Sequence, residues 1–417
     1  MTDKPDADVI IAGAGMAGVT LAMALKSAGL TTIVVDPQPF ELQTAPTFDG
    51  RASAISFAAF RQWRALGVAP HLEAHAQRIE QILVTDGKAP GAGAGRASPA
   101  FLRFDAAEIA DRTDGEALGY MLENRHIRAG LATAAAEAGL DIRAPERVTR
   151  VEVAPGLARV ALAGGGVLSA PLVVGADGRA SLVRREAGID TIGWGYRHTA
   201  VVATVDLERD HQGVAYEHFL PAGPFAILPL TGARASLVWT ESEKRAAALK
   251  AARPEAFDAY LSRRFGDFVG RVGAAGHRFT YPLSLQLADR ITAPRIALLG
   301  DAAHSIHPIA GQGLNMGLKD VAALAQVLVE AARLGEDIGA ELTLARYARW
   351  RSVDNIGVAL ATDVFTRLFS NDQPLLRAAR GAGMAVVNRI GPARRFFMGE
   401  AGGAMGDLPR LLRGEAL

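Results

Sequence analysis

The stretch Arg295–Asp320, RIALLGDAAHSIHPIAGQGLNMGLKD, decides how the rest of this 417-residue chain is read. Arg295–Leu299 is a short aliphatic run, long enough for a buried strand. It breaks at Gly300–Asp301, which sets a carboxylate at the carboxyl end of that strand. A segment without hydrophobic period follows, holding His304, His307, Pro308, Gly311 and Gly313. From Leu314 onward Leu318, Val321, Leu324 and Leu328 recur at helical spacing until Gly335 supplies a stop. A glycine-rich segment feeding a helix N-terminus offers unpaired backbone N–H groups and the positive end of the helix dipole to something negative. Asp301 before it can accept hydrogen bonds from hydroxyls. A ligand with a sugar-alcohol chain at one end and a ring that becomes anionic at the other answers both features, and flavin fits.

Two other strand ends have the same construction. Asp8–Ala12 reads as a buried strand, followed by a turn with Gly13, Gly15, Ala17 and Gly18, then a helix to Lys26 that stops at Gly29. A second strand, Thr31–Val35, ends in Asp36. This is a strand–helix–strand unit with the dinucleotide fingerprint: Gly13 allows the tight turn, Gly15 lets backbone approach a pyrophosphate, and Gly18 lets helix and strand pack closely. Asp36 stands where a ribose hydroxyl would be accepted. The fingerprint alone does not separate NAD from FAD. Ala170–Gly178 is a further buried strand ending in Asp177 and Gly178, with Ser181 and Arg184 on the helix after it. In doubly wound sheets ligands sit beyond the carboxyl ends of the strands, so three such ends converging on one ligand argue more strongly than any one of them.

Between these landmarks, Asp49–Ser56 is expected to be a loop and helix start, with Arg51 either a surface arginine or a cation near dinucleotide phosphates. Ile79–Asp105 reads as a hairpin whose Pro90–Gly95 tip carries no chemistry. Tyr120–Gly139 reads as helix, placing Asn124 and Arg125 in its first turn, exposed or facing a ligand. Ala144–Leu168 suggests a second hairpin around Gly164–Gly166. Thr199–Asp206, Val214–Leu220, Phe225–Pro229 and Ala235–Thr240 are successive strands of an antiparallel sheet, Lys244–Gly270 is helical, and Thr280–Leu287 leads back to the first lobe. The expected class is therefore α/β. A discontinuous Rossmann-like dinucleotide domain (1–78, 106–190 and 288–343) carries an inserted antiparallel β-sheet substrate domain (79–105 and 191–287), and residues 344–417 form a helical C-terminal region.

Composition removes several alternatives. A formal net charge of +1 leaves no electrostatic footprint for nucleic acid. With no cysteine, disulfides, thiolate metal sites, iron–sulfur clusters and a thiol nucleophile are excluded, and no metal is expected. Hydrophobic content of 49% and a mean hydropathy of +0.14 indicate a well-filled interior rather than disorder. The opening MTDKPDADV lacks a signal pattern, and Val9–Leu25 is broken by Ala12, Gly13, Gly15 and Gly18, so no transmembrane segment is expected and the cytoplasm is the default.

At this point the residues match a known family. The chain resembles the group A flavin-dependent monooxygenases, the para-hydroxybenzoate hydroxylase-like fold, and within them the ubiquinone-biosynthesis (UbiH-type) hydroxylases. Their signature H-P-hydrophobic-A-G-Q-G-x-N-x-G-x-x-D is matched in full by His307–Asp320, HPIAGQGLNMGLKD. Gly300–Asp301, Asp177–Gly178, the GRASAIS and ENRHI segments, GPFAILPL at Gly223–Leu230 and the tail RSVDN…ATDVFTRLFSND at Arg351–Asp372 occur in the expected order.

The resemblance implies FAD as cofactor and NAD(P)H as co-substrate, with O2 activated as a flavin C4a-hydroperoxide that hydroxylates an electron-rich phenol. Asp301 would hold the ribitol chain, Gly311–Asn315 would cover one edge of the isoalloxazine with the helix start at Leu314 facing its pyrimidine carbonyl, and Pro308 would keep the oxygen-accepting carbon dry. Asp177–Gly178 would touch the pyrophosphate and NAD(P)H. The substrate implied is a polyprenyl phenol, with Phe219, Phe225, Leu228 and Trp239 as lining candidates. His304 and His307 are the candidate bases, against the plainer reading of loop histidines satisfied by backbone. A small soluble aromatic substrate, anchored by Arg197 or Arg234, is the alternative within enzymes, and a non-catalytic flavoprotein of a biosynthetic assembly the alternative outside them. Peripheral membrane or complex association and oligomeric state stay open.

Overall fold

The computed structural model describes residues 4–45, 49–86, 101–113, 115–220, 223–265, 270–305, 312–352, 387–403 and 406–417. Within these a six-stranded sheet runs in the order Thr292–Ala293, Ile296–Leu298, Leu172–Gly175, Val9–Ala12, Thr32–Val35, Asp141–Arg143. Every neighbouring pair is parallel except the first. Both faces are buried, which is why these strands are continuous aliphatic runs. Val9 and Ile11 pack on the side of the helices Met16–Ser27, Asn124–Glu137 and Gln312–Arg333. Ile10 and Ala12 pack against the opposite layer, a three-stranded meander of Val148–Ala154, Leu157–Leu162 and Val167–Ala170. The expected second hairpin is thus a meander: Gly164–Gly166 turns between its last two strands, and a second turn at Gly156, with φ +81°, adds the extra strand.

The second large sheet has eight strands, ordered His304–Ser305, Val272–Ala288, Thr191–Leu207, Arg234–Ser242, Gly223–Leu230, Val214–Leu220, Gln81–Asp86, Phe101–Asp105. It departs from the all-antiparallel expectation at one place, where Val214–Leu220 lies parallel to Gln81–Asp86. Parallel neighbours need a long connection, and the chain between these strands supplies one. Thr280–Leu287 does not leave the sheet: it belongs to a 17-residue strand that pairs with Thr191–Leu207 along most of its length. Helices Glu243–Ala251 and Pro254–Phe265 cover the outer face of this sheet.

Two further expectations are corrected by a small sheet of Ala52–Ser56, Gly119–Glu123 and Gln77–Ile79. Asp49–Ser56 holds a strand rather than a helix start, and Tyr120–Glu123 is strand before the helix opens at Asn124. Both runs are four or five residues long beside a true helix, and apolar runs that short carry no decisive period. The 3-10 turn Gly300–Ala302 follows Ile296–Leu298 as expected, but the long helix starts at Gln312, two residues before Leu314. The N–H groups of a first turn have no intrahelical partners, and its residues here lie outside the apolar stripe, so periodicity does not register them. Of the C-terminal region, residues 341–352 and Gly391–Ala401 are helical. No helix among the described residues is long and apolar enough to cross a membrane.

Candidate active site

The carboxyl ends of the central parallel strands deliver Gly13, Asp36, Ala176–Asp177 and Gly300–Asp301 to one edge of the first sheet. Gly13 has φ +109°, and a Cβ there would lie 2.4 Å from the Ala176 carbonyl oxygen. A Cβ on Gly18 would lie 2.0 Å from the Gly13 carbonyl oxygen, so only glycine lets the helix Met16–Ser27 seat on this turn. Gly15 caps that helix without any side-chain hydrogen bond, and a Cβ on it would meet nothing within 4 Å. Uncapped N–H groups facing open space are what an anionic pyrophosphate requires. Ala17 contributes through packing. Its Cβ stands 3.8 Å from where a Cβ on Gly300 or Gly317 would be, so three small residues bring two helices and the Gly300 turn together.

The three carboxylates are not equivalent. Asp36 is drawn into its own loop, accepting from Ala14 N–H at 2.7 Å and Gln38 N–H at 2.8 Å, and burial raises its pKa. Asp177 accepts from Leu182 N–H at 2.7 Å and Val183 N–H at 3.1 Å, anchoring the short helix that Ser181 caps. Open space remains at Gly178, whose φ is +76°. Arg184 ties this loop to the 3-10 turn through the carbonyls of Arg179 and Ala302, both at 2.8 Å. Asp301 differs from both, since no described residue hydrogen-bonds its carboxylate. Water reaches it, yet protein surrounds it closely enough for burial to raise its pKa, against the pull of His304, Arg51 and Arg179. A carboxylate that is wet but enclosed lies in a concavity, open to a hydroxylated ligand.

Arg51 faces the same concavity and feels the charge of Asp301. It is held by Asp49, which accepts from Arg51 Nε and Nη2, both at 2.9 Å, and its guanidinium lies 4.9 Å over the Tyr281 ring. The same buried Asp49 accepts from Arg128 Nη2 at 2.8 Å, Asn124 Nδ2 at 3.0 Å and the Tyr281 hydroxyl at 3.3 Å. Burial opposes its charge, but Arg51, Asn124 and Arg128 outweigh that and hold the carboxyl well below the usual carboxylate range. Asn124 is therefore a link in this network, its Oδ1 accepting from Ser53 at 2.7 Å. Asn315 does similar work for the long helix: its Nδ2 donates to Ala54 O at 2.8 Å and its Oδ1 accepts from Ser56 N–H at 3.0 Å, pinning the first turn with Gly313 and Leu314 to the strand Ala52–Ser56.

His304 is buried, with Nε2 donating to Asp320 Oδ2 at 2.6 Å, which makes it a pin for the Gly300 turn. His307, Pro308 and Gly311 lie outside the described residues, as do the Pro90–Ser98 tip and the tail beyond Ser352 up to Asp372. Two of the lining candidates are misplaced. Phe225 and Trp239, at 5.5 Å between ring centroids, point to the outer face, where Trp239 meets Phe257 of a covering helix. Strand alternation puts Phe219 and Leu228 on the opposite face. Sequence reasoning passed over Asp49, Arg128, Tyr281 and Arg351. Asp49 immediately precedes the GRASAIS segment and Asp320 closes the family signature, which is the signal that pointed nearby. No group of residues suited to a metal occurs among the described residues.

Residues 6–352 match the family model described as FAD binding domain. The p-nitrophenol 4-monooxygenase PnpA of Pseudomonas putida superposes with a TM-score of 0.78 at 18% identity, covering 96% of this chain and 99% of that one, and so shares the fold. With the relatives that follow, the class is an FAD-dependent monooxygenase. Ubiquinone hydroxylase UbiL of Rhodospirillum rubrum is 45% identical over 99% of this chain and 94% of its own length. The 3-demethoxyubiquinol 3-hydroxylase of Escherichia coli is 35% identical over 95% of this chain and 98% of its own. The chain belongs to this family of ubiquinone-biosynthesis hydroxylases.

Proposed function

We propose that the protein hydroxylates the ring of a polyprenyl phenol on the route to ubiquinone, using FAD, NAD(P)H and O2. The observation that carries the cofactor placement is the concavity bounded by Gly15 and Asp301. At one side stands an uncapped helix N-terminus with room for a pyrophosphate. At the other stands a carboxylate with no partner among the described residues, suited to a polyol chain. When bound, FAD accepts a hydride from NAD(P)H and, with O2, supplies the electrophilic oxygen.

The chain's own residues bind, orient and exclude water. Backbone N–H groups at Gly15 and the dipole of Met16–Ser27 offset pyrophosphate charge. Asp301 accepts from the ribitol hydroxyls, and Arg51, held by Asp49 and Tyr281, sets a fixed cation beside them. The Gly313–Asn315 turn, pinned to Ala54 and Ser56, presents the start of the long helix to the electron-rich edge of the ring system. The first sheet and its helices form the cofactor domain in this reading, and the eight-stranded sheet forms the substrate domain. Of the two candidate anchors for a small carboxylated aromatic, Arg234 is already paired with Glu123, at 3.5 Å, and Arg197 is exposed.

Profiling quinone intermediates by mass spectrometry of lipid extracts from a deletion strain tests the reading. Accumulation of one under-hydroxylated polyprenyl phenol supports it and names the ring position. An unchanged quinone pool would redirect the search to soluble aromatics.

A further inference from the structure

Four acidic residues of the described chain are buried: Asp49, Glu217, Glu241 and Asp320. Three are neutralised by arginines, Asp49 by Arg51 and Arg128, Glu241 by Arg264 at 2.9 Å, and Asp320 by Arg351 at 2.7 Å. Glu217 is the exception. It is 9% exposed, and among the described residues no cation or hydrogen-bond donor reaches its carboxyl. An unpaired buried acid is costly, so its retention asks for a use.

Its place follows from the strand register. One row crosses the eight-stranded sheet through the paired residues Phe279, Val202, Val238, Ala226, Glu217, Val84 and Leu102. Paired residues share a face, so Glu217 is the single ionisable group of an otherwise apolar row. That face looks toward the cofactor domain: the Phe279 ring lies where a Cβ on Gly50 would come within 2.1 Å of it, next to Arg51. His218, one residue on, turns the other way and meets Thr85 Oγ1 at 2.5 Å. Two residues back along the strand, Ala215 pairs with Ile82, and Ile82 with Phe104 helps to line a cavity of about 70 Å³. Ala54, Ser56 and Asn315, the strand and helix turn of the candidate flavin site, line the same cavity.

We propose that Glu217 is the residue that receives the hydrogen bond of the substrate's phenolic hydroxyl and takes its proton. The inference rests on the hydroxylase reading above and supplies a base in place of His304, which is committed to Asp320. The phenolic O–H bond breaks, its proton passes to a Glu217 carboxylate oxygen, and the electron pair left on the phenol oxygen enriches the ring carbons that attack electrophilic oxygen. O2 supplies the oxygen atom and NAD(P)H the two electrons, and the second oxygen atom leaves as water. The ring gives up its C–H proton to that departing oxygen and regains aromaticity, and Glu217 returns its proton to the phenol oxygen. An apolar wall with one carboxyl suits a prenylated phenol better than a charged aromatic acid.

Burial alone raises the Glu217 carboxyl to about 8, close to the range where a general base works best. The charged groups at this side of the sheet include Asp49, Arg51 and Asp301 beyond Phe279 and Tyr281, Asp86 at the register position opposite Phe219, and, further along the strands, Asp206 and Arg234, the latter paired with Glu123. None of them contributes to the Glu217 shift, whose cause is burial.

The test uses purified, FAD-loaded protein with a phenol carrying a short prenyl chain, measuring hydroxylated product and NAD(P)H oxidation from pH 6 to 10. The wild-type product rate should rise with pH through about 8, following ionisation of the buried carboxyl. Glu217→Gln should keep FAD and bind the phenol, lose the inflection, and form product about 100-fold or more slowly, the range expected for a lost general base. Glu217→Asp should retain the inflection at a reduced rate, which a merely structural role would not do. A Glu217→Gln enzyme with wild-type rate and pH profile overturns the assignment, as does a Glu217→Asp enzyme without the inflection. No product from the wild-type enzyme overturns the hydroxylase reading itself, and this inference with it.

Discussion

His304 Nε2 and Asp320 Oδ2 stand 2.6 Å apart in a part of the core from which water is excluded. The same carboxylate accepts from Gly300 N–H at 3.0 Å and, through Oδ1, from Arg351 Nε at 2.7 Å. One aspartate thus joins the turn that positions Asp301, the long helix that carries Asp320, and the helical segment 341–352. Tyr347 on that segment donates to Leu298 O at 2.8 Å, closing the connection onto the strand before the turn.

Breaking this node should cost stability and cofactor together. Asp320→Asn keeps the shape but removes the charge that His304 and Arg351 surround, and losing one partner of a buried ion pair costs about 3–5 kcal/mol. Urea unfolding should show that loss, and absorbance of the purified protein should show reduced flavin content. Unchanged stability would contradict the node.

Acid should act through the same class of group. Burial opposes the charge of Asp49 and of Asp320, but Arg51, Asn124 and Arg128 around the first and His304 and Arg351 around the second prevail, and both pKa values fall below the ordinary 3.8. A depressed folded-state pKa means stability that is fully present above 3.8 and is lost as pH falls through the folded value. The stability gap between wild type and Asp49→Asn should therefore be constant near neutrality and close below that pH.

Glu217 should show the opposite sign. Its pKa rises from 4.5 to about 8, so its contribution is favourable at low pH and declines as pH rises through that interval. Relative to Glu217→Gln, the wild-type protein should lose stability from pH 4.5 to 8 and level off above. A flat difference across that interval would refute the burial of an unpaired carboxyl.

Gly15 and Gly18 should separate binding from folding. Gly15→Ala places a methyl in open space, so thermal stability should hold while FAD occupancy drops. Gly18→Ala drives a Cβ to 2.0 Å from backbone, and should lose both, with a destabilisation of about 1–3 kcal/mol.

Asp301→Ala should yield colourless protein that still folds, because no described residue hydrogen-bonds that carboxylate. Recovery of yellow protein at wild-type occupancy would rule out its role toward the ribitol chain.

Legibility in the sequence followed the range of the interactions. Gly13, Gly18, Asp36, Asp177 and Asp301 were readable because turn, strand and helix periods act within a few residues. Asn124 was singled out, but its partner Asp49 was not, since the two are 75 positions apart and meet only in the fold. Ala52–Ser56 and Tyr120–Glu123 were misassigned because runs of four or five residues suit either element until a neighbour supplies the ladder.

The amino-acid sequence by itself determined the strand–helix–strand unit, the carboxylates at three strand ends and the family signature at His307–Asp320. All of these are set by backbone conformation and local spacing. Tertiary structure alone decided which faces of the eight-stranded sheet matter. Alternation says that Phe225 and Glu217 point to opposite sides, but not which side meets two helices and which meets the strand Ala52–Ser56 and the start of the long helix. That choice depends on where each apolar surface finds its partner, and the partners lie far away along the chain.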